Sequence, residues 1–458
     1  MVVRIELTNY CNRHCPYCFF NDQLTMSPQE MSLEEVHRIL DYCRKDGLNF
    51  VFLQGGEPTL HSKFKEILNL LKTRNISYGL FTNGIFDTGL LDYFDTAATS
   101  DIVLNYNHPS TYSRESDWEL VNRNIDEIVR RGLSFKIGYT LYEKKPDYQF
   151  VLDILQKHGL NKLRWDLARP SGKYTNKYFS LEEFFEMTPI VATFMKGVEK
   201  YAGLQRTDCP IPVCMWFAEQ LDFVNSKVNL SPPCGNGLNI GPGLVVRTCP
   251  ASIEIKDVRL TDFQTLAQAT DFITTCENRF RWGLWLLDDC KNCIYRVTKE
   301  CQGGCLGHKK AGSAFSIGRK ELEEYLCAVP SFMEKSEDII PDYTKQADDI
   351  QSILRHYIGL YEGGKRSVFL TYSIGRCYEA LSDYDEAIRW YCRVLDRERG
   401  HIVTKNRIDL LYHIKAVKCN PENKQVWNRL LQALIKLENL SSAKEIIKKF
   451  DIKNIQIN

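Results

Sequence analysis

Cys11, Cys15 and Cys18 lie within eight residues, Cys11-Asn12-Arg13-His14-Cys15-Pro16-Tyr17-Cys18, directly after the strand-like run Val2-Val3-Arg4-Ile5-Glu6-Leu7. Thiolates are soft ligands that suit iron-sulfur clusters and zinc. Three of them leave one iron of a [4Fe-4S] cluster free to bind something else, whereas four saturate the cluster and favour electron transfer. An open iron implies chemistry. The same spacing also suits zinc, so these residues by themselves leave both metals open.

A second cysteine-rich stretch runs from about 205 to 335 and holds ten of the 17 cysteines: Cys209, Cys214, Cys234, Cys249, Cys276, Cys290, Cys293, Cys301, Cys305 and Cys327. The block Cys290-x2-Cys293-x7-Cys301-x3-Cys305, taken alone, also fits one tetrahedral zinc site. Cys276 matches no motif position. Cys43, Cys377, Cys392 and Cys419 fall in helical patterns, where a cysteine is usually a small buried hydrophobe.

The elements that must position these residues alternate between short β-rich runs and amphipathic helices up to about residue 205. After Val2 to Leu7, strands are predicted at 50–54, 76–81, 101–104, 134–139 and 162–165, six in all, with helices at 32–45, 61–73, 115–131 and 146–158. Ser32 and Glu35 open the first helix with the spacing of a capping box. Such alternation predicts βαβ units and a parallel sheet, whose ligands sit at the carboxyl ends of the strands. The remaining polar motifs fall there: Gln54-Gly55-Gly56-Glu57-Pro58 after the second strand, Thr82-Asn83-Gly84 after the third, and Asn105 and Asn107 after the fourth. Glycines admit close backbone approach, and a carboxylate accepts from an amine; such residues are also common turn and cap formers. A linking helix is expected near 180–202, and after about 340 the strand patterns stop.

The chain has 458 residues, 44% hydrophobic and 26% charged, with a formal net charge of +1. That is a globular composition for about two to four domains, without the basic field that nucleic acid requires. No apolar run reaches the ~18 residues of a membrane span, and the N-terminus lacks the pattern of a signal peptide. A cytoplasmic protein is expected, with its clustered cysteines as metal ligands rather than disulfides.

The cysteine triad, with Tyr17 as the aromatic of C-x3-C-x-aromatic-C, resembles the radical SAM family. The resemblance implies that the free iron is chelated by S-adenosylmethionine, which the cluster cleaves reductively to a 5'-deoxyadenosyl radical. It implies cofactor contacts from Tyr17, Gly55, Gly56 and Glu57, with Glu57 facing the methionyl amine, and from Thr82, Asn83 and Asn105; Ile137 is an adenine contact or an ordinary core residue. An external donor such as flavodoxin or ferredoxin would supply the electron.

The second cysteine region, with Gly243 before Cys249, is similar to the SPASM extension of that family, with two loops longer than usual. Carried over residue by residue, Cys234, Cys249 and Cys305 hold a first auxiliary [4Fe-4S] cluster, completed by Cys214, Cys209 or neither. Cys290, Cys293, Cys301 and Cys327 hold a second. Residues 368–401 resemble a tetratricopeptide repeat, through Ile374, Gly375, Tyr378, Tyr384, Ala387, Ile388, Tyr391, Val394 and Leu395. A degenerate copy follows Asn420, with Trp427, Leu430, Leu440, Ala443 and Ile447.

The expectation is therefore an α/β protein: a partial (β/α)6 barrel at 1–205, a SPASM domain at 206–339 and an all-α repeat domain at 340–458. The resemblance implies an oxidoreductase that matures a ribosomally made peptide or a protein residue by crosslinking, epimerisation or oxidation, with the substrate held on the repeats. Sulfatase-maturase-like oxidation and a non-enzymatic zinc-bound scaffold are the alternatives. No residue is singled out as hydrogen donor or general base.

Overall fold

The structure is a computed structural model, and it describes residues 1–24, 29–216, 234, 237–250, 254–255, 258–282, 287, 290, 293–298, 300–309, 316–317, 347–419 and 423–436. The chain divides into two compact units. The first comprises Met1–Ile211, Lys227–Leu286 and Gly304–Phe332, and the second Pro212–Ser226, Leu287–Gly303 and Met333–Asn458.

In the first unit, strands β1 (Val2–Glu6), β2 (Phe50–Gln54), β3 (Ser77–Thr82), β4 (Thr99–Asn105), β5 (Phe135–Leu141) and β6 (Lys162–Leu167) pair in sequence order, all parallel. Helices α1 (Leu33–Lys45), α2 (Phe64–Thr73), α3 (Glu115–Arg130) and α4 (Gln149–His158) fall where the sequence predicts them, and α5 (Leu181–Glu199) is the linking helix. Each buries one stripe: Val36, Ile39, Leu40 and Cys43 on α1, and Phe64, Ile67, Leu68 and Leu71 on α2. That i, i+3, i+4, i+7 spacing is the face of a helix lying on a sheet. Ser32 and Glu35 form the expected capping box, and Ser180 and Glu183 form a second.

The six-strand expectation fell short of the sheet, which has nine strands in the order β7-β6-β5-β4-β3-β2-β1-β8-β9. β7 (Leu204–Arg206) extends one edge beside β6. β8 (Gly237–Ile240) lies parallel to β1, and β9 (Val246–Arg247) lies antiparallel at the other edge. Strands of two to four residues show too little alternation to be recognised from sequence. The open parallel sheet is that of a partial barrel. Helix α6 (Leu266–Trp282) belongs to the same unit.

The second unit is helical over α7 (Ala347–Glu362), α8 (Val368–Ala380), α9 (Tyr384–Arg397), α10 (Ile402–Cys419) and α11 (Lys424–Lys436). Gly375 lies against the Tyr391 ring; a Cβ there would come within 2.5 Å of Cε1, which explains the small residue on α8. The core of this unit includes residues from the cysteine region: Ile294, Tyr295, Val297 and Cys301 pack with Ile350, Tyr372, Ile374, Cys377 and Tyr391. Leu440, Ala443 and Ile447 of the degenerate copy lie outside the described residues, while Leu430 is buried. Among the described residues no helix is long and apolar enough to cross a membrane.

Candidate functional site

Parallel pairing brings the carboxyl ends of β1, β2 and β3 together, and with them three of the motifs. The loop after β1 carries the three cysteines. Gly56 N–H donates to Thr8 O at 2.7 Å and Glu57 N–H to Tyr10 O at 2.8 Å, so the Gly-Gly-Glu turn lies along the start of the cysteine loop. A Cβ on Gly55 would come 2.4 Å from Thr8 O, and one on Gly56 would come 2.1 Å from Tyr10 O. Only glycine permits that approach.

Glu57 is fully buried. Its Oε1 accepts from Thr59 N–H (3.2 Å), Thr59 Oγ1–H (2.7 Å) and Thr82 Oγ1–H (2.8 Å), and its Oε2 from Asn83 N–H (2.7 Å). Burial pushes its pKa up, and those donors pull it back. Thr82, expected like Glu57 at the cofactor, is its immediate neighbour. Both side chains are buried and bonded to each other, and they tie the end of β2 to the end of β3. Asn83 reaches the cysteine loop, donating from Nδ2 to Asn12 Oδ1 at 2.8 Å and toward Cys11 Sγ at 3.6 Å.

The thiols of Cys11, Cys15 and Cys18 lie within electrostatic reach of one another. Burial is the largest cause that pushes Cys11 and Cys18 up to about 12, followed by Glu57 for Cys11 and Cys15 for Cys18. Thiols so placed become thiolates only beside a compensating cation. The sequence reading missed Arg13, which is 2% exposed. Its guanidinium stacks 3.7 Å above the Tyr112 ring and donates from Nη2 to Thr111 Oγ1 at 2.6 Å. Its Nε and Nη1 are buried without a hydrogen-bond partner. The only sequence signal for Arg13 is its place between the cysteines.

Tyr17 packs on Tyr142, with ring centroids 4.7 Å apart. The segment after β6 also meets the loop: Lys177 N–H donates to Pro16 O at 2.7 Å and Asn176 Nδ2–H to Tyr17 O at 3.1 Å. Asn105 Oδ1 lies beside Gly138, while Asn107 Oδ1 accepts from Thr140 N–H at 3.1 Å. Ile137 is 0% exposed in β5, registered with Leu104 and Leu163.

The second cysteine region separates into two sets. In the first unit Cys209 has Cys305 and Cys249 among its electrostatic neighbours, and Cys305 has Cys234. Three buried or half-buried arginines accompany them. Arg169, 5% exposed, donates to Cys209 O at 3.2 Å, Arg281 lies against Cys234, and Arg4 has both Cys249 and Cys209 nearby. Burial and Asp166 push the Cys209 thiol up. In the second unit Cys214 has Cys301, Cys293 and Cys290 as its thiol neighbours. Of the two cysteines left open for the first set, Cys209 is the one that neighbours Cys305 and Cys249. Cys327 lies outside the described residues. Cys43, Cys276 and Cys377 are buried, but Cys392 and Cys419 are exposed, against the expectation for helical cysteines.

Residues 5–151 match the radical SAM superfamily, and the match spans the cysteine loop and β1 to β5. This segment is a radical SAM domain. Residues 371–401 match the tetratricopeptide repeat, over α8 and α9. Curated relatives include a probable GTP 3',8-cyclase of Thermococcus kodakarensis, 34% identical over 195 residues, covering 41% of this chain and 63% of that protein. A probable GTP 3',8-cyclase of Pyrococcus abyssi is 25% identical over 219 residues, covering 42% of this chain and 65% of that protein. The chain thus spans just under two thirds of the length of these relatives. Among solved structures, native anSMEcpe with bound AdoMet has a TM-score of 0.47 at 16% identity, covering 71% of this chain and 97% of that one. Streptococcus suis SuiB bound to precursor peptide SuiA has a TM-score of 0.42 at 14% identity, covering 68% of this chain and 71% of that one.

The family implies a [4Fe-4S] cluster and S-adenosylmethionine at this domain, and the residues fit them. Three thiols converge in one loop, the glycine turn lies beside them, and Arg13 offers two unpartnered N–H-bearing nitrogens where an anionic group would be held. Among the described residues no three His, Cys, Asp or Glu side chains close around a single ion. A four-iron cube spreads its cysteine ligands over separate corners, so mutual reach is the geometry it asks for.

Proposed function

We propose that this protein is a radical SAM enzyme that modifies a ribosomally made peptide or a protein residue. A cluster held by Cys11, Cys15 and Cys18 with one open iron would supply reductive cleavage of S-adenosylmethionine to a hydrogen-abstracting 5'-deoxyadenosyl radical. Gly55 and Gly56 let the backbone approach the cofactor, Asn83 and Asn105 offer polar groups at the strand ends, and Tyr17 packs the wall. Arg13 balances the negative charge that gathers among three thiolates. Glu57 and Thr82 hold this edge of the sheet in register.

We place iron-sulfur clusters also at the two further thiol sets, as auxiliary electron acceptors for the product radical. Such a protein needs an external electron donor, flavodoxin or ferredoxin by class, and a reducing compartment, the cytoplasm, to keep its 17 cysteines as thiols. We divide it into a barrel at 1–205, a SPASM region at 206–339 and repeats at 340–458, the outcome being a crosslink, an epimerisation or an oxidation. The observation that carries the peptide reading is the tetratricopeptide match at 371–401. Such repeats commonly receive a peptide or partner protein.

A second reading, action on a nucleotide, is favoured by the relatives described as GTP 3',8-cyclases. One experiment separates the two. Anaerobically reconstituted protein is incubated with reductant, S-adenosylmethionine and, in parallel, short peptides encoded beside the gene or GTP. 5'-Deoxyadenosine together with a modified peptide in heavy water, read by mass spectrometry, is the expected result. Conversion of GTP with untouched peptides would overturn the peptide reading, and absence of 5'-deoxyadenosine would overturn the enzyme reading.

A further inference from the structure

We propose that the edge formed by the end of α7 and the last turns of α9 docks an acidic segment of the peptide substrate, held by Arg366, Arg393 and Arg397. The proposal rests on the peptide-modifying reading and adds to it the charge of the segment that is recognised.

Both helices belong to the second unit. On α9, Trp390, Arg393 and Arg397 are spaced i, i+3 and i+7, which puts them on one stripe of the helix. Trp390 is 7% exposed and packs in the apolar core of the unit, and its ring meets that of Tyr361, at the end of α7, edge to face with centroids 4.9 Å apart. These two rings form a floor. Three guanidinium groups stand over it: Arg393 lies 4.2 Å from the Trp390 centroid, and Arg366 and Arg397 lie 5.4 and 5.9 Å from that of Tyr361. Arg397 also donates to the carbonyl oxygen of Arg366, which ties its head to the segment after α7.

The charges of this edge are not neutralised within the protein. Of the three arginines on α9, Arg389 pairs with Glu386. Deeper in the unit, Arg376 and Arg407 pair with Glu379. Arg366, Arg393 and Arg397 are exposed and pair with no carboxylate among the described residues. Like charges gathered on one floor repel each other, and an anion between them relieves that repulsion.

A guanidinium lying on a ring keeps its N–H groups in its own plane, directed past the ring, and that fork matches a carboxylate. The aromatic floor offers apolar contact to the side chains beside it. The chain as a whole has a formal net charge of +1, so the excess is local to this edge and lacks the extended basic field that tracks a nucleic-acid backbone. A short run of Asp and Glu fits it. The tetratricopeptide match at 371–401 includes α9, and modules of that kind commonly receive a peptide.

The test uses the full chain and fluorescence anisotropy with two labelled probes, a short peptide rich in Glu and its counterpart with Lys at the same positions. We expect the Glu peptide to bind more tightly than the Lys peptide and to be released as salt is raised. Arg393→Glu and Arg397→Glu should each weaken that binding about tenfold, and Arg393→Gln, which keeps a stem over the Trp390 ring, should weaken it less. Arg399→Glu makes the same change of charge at an exposed arginine outside the cluster and should alter binding less than about twofold. Equal binding by the Arg393→Glu and Arg399→Glu proteins, no preference for the Glu peptide, or tighter binding of an RNA oligonucleotide of the same charge would overturn the proposal. Modification of a peptide with KM unchanged by Arg393→Glu would overturn the docking surface and leave the peptide-modifying reading standing. Tight binding of the Glu peptide by a protein that modifies no peptide would overturn that reading and leave the surface.

Discussion

Glu57 Oε2 accepts the backbone N–H of Asn83 at 2.7 Å, and this bond joins the carboxyl ends of β2 and β3 directly beneath the cysteine loop. Asn83 in turn reaches toward Cys11 Sγ, so the carboxylate positions the proposed cluster ligand through one intermediate residue. Replacing Glu57 by Ala would strand buried donors of Thr59, Thr82 and Asn83. At about 1–3 kcal/mol for an unsatisfied buried group, we expect Glu57→Ala to cost at least about 3 kcal/mol. Glu57→Gln, which keeps one oxygen, should cost less. Chemical denaturation together with iron content checks both variants.

The triad carries its own prediction. Changing Cys11, Cys15 and Cys18 together to Ala should abolish 5'-deoxyadenosine formation and leave the iron of the other thiol sets in place, because no residue of those sets comes from the cysteine loop. Chromatography of the reaction mixture and an iron assay read the two halves of this statement. Persistent 5'-deoxyadenosine would sink the assignment.

Gly56→Ala tests the close approach. A Cβ at this position would sit 2.1 Å from Tyr10 O, a backbone atom just before Cys11 that cannot swing away. Overpacking of this kind costs about 1–3 kcal/mol. The thermal midpoint should fall and reconstituted iron should drop by up to one cluster, whereas Gly203→Ala, where a Cβ would meet nothing within 4 Å, should leave iron unchanged.

Acid should loosen the helical unit first at Glu379. Although burial opposes it, the guanidinium groups of Arg376 and Arg407 hold the Glu379 carboxyl down at about 2, from an ordinary 4.5. The ion pairs are 2.6 and 2.7 Å long, and Tyr391 Oη–H donates to the same carboxylate at 2.6 Å. A carboxyl whose pKa is lower in the folded state contributes stability that is fully present above 4.5 and is lost as pH falls from there toward 2. The contribution is on the order of 3 kcal/mol. Glu379→Gln should flatten the acid limb of a stability-against-pH curve in that window and lower stability at pH 7.

Removing residues 340–458 should cost iron as well as substrate binding. Ile294 N–H donates to Tyr357 Oη at 3.3 Å, Tyr295 Oη is 3.2 Å from Ser373 Oγ, and Glu300 pairs with Arg376. Truncation would remove all three partners and expose Ile294, Tyr295 and Val297. We expect the truncated chain to lose the iron held near Cys293 and Cys301 while keeping that of the Cys11 triad. Retention of all iron in a soluble truncation would show that the cysteine segment folds without the helices.

Much of the barrel was legible because its signals are local. Period-two strands alternate with helices whose apolar residues recur at i, i+3, i+4 and i+7; Ser32 and Glu35 are three residues apart; Gly375 and the ring positions around it fall within one helical hairpin. Each is a relation between near neighbours in the chain, where backbone geometry alone fixes who meets whom. The triad was legible for the same reason, as its three sulfurs sit in one loop.

Tertiary structure decided everything that depends on partners distant in sequence. Cys209 and Cys214 are five residues apart and equally plausible ligands by spacing, yet they lie in different units, one near Cys249 and Cys305, the other near Cys293 and Cys301. The short strands β7, β8 and β9 exist because a sheet edge offers them hydrogen-bond partners, not because two to four residues prefer to be extended. Glu57 stands out in the sequence by its motif, and only folding shows that Thr59, Thr82 and Asn83 surround it. A free carboxylate and a bonded one have the same sequence, and only the packing of β2 against β3 brings the donors that make the difference.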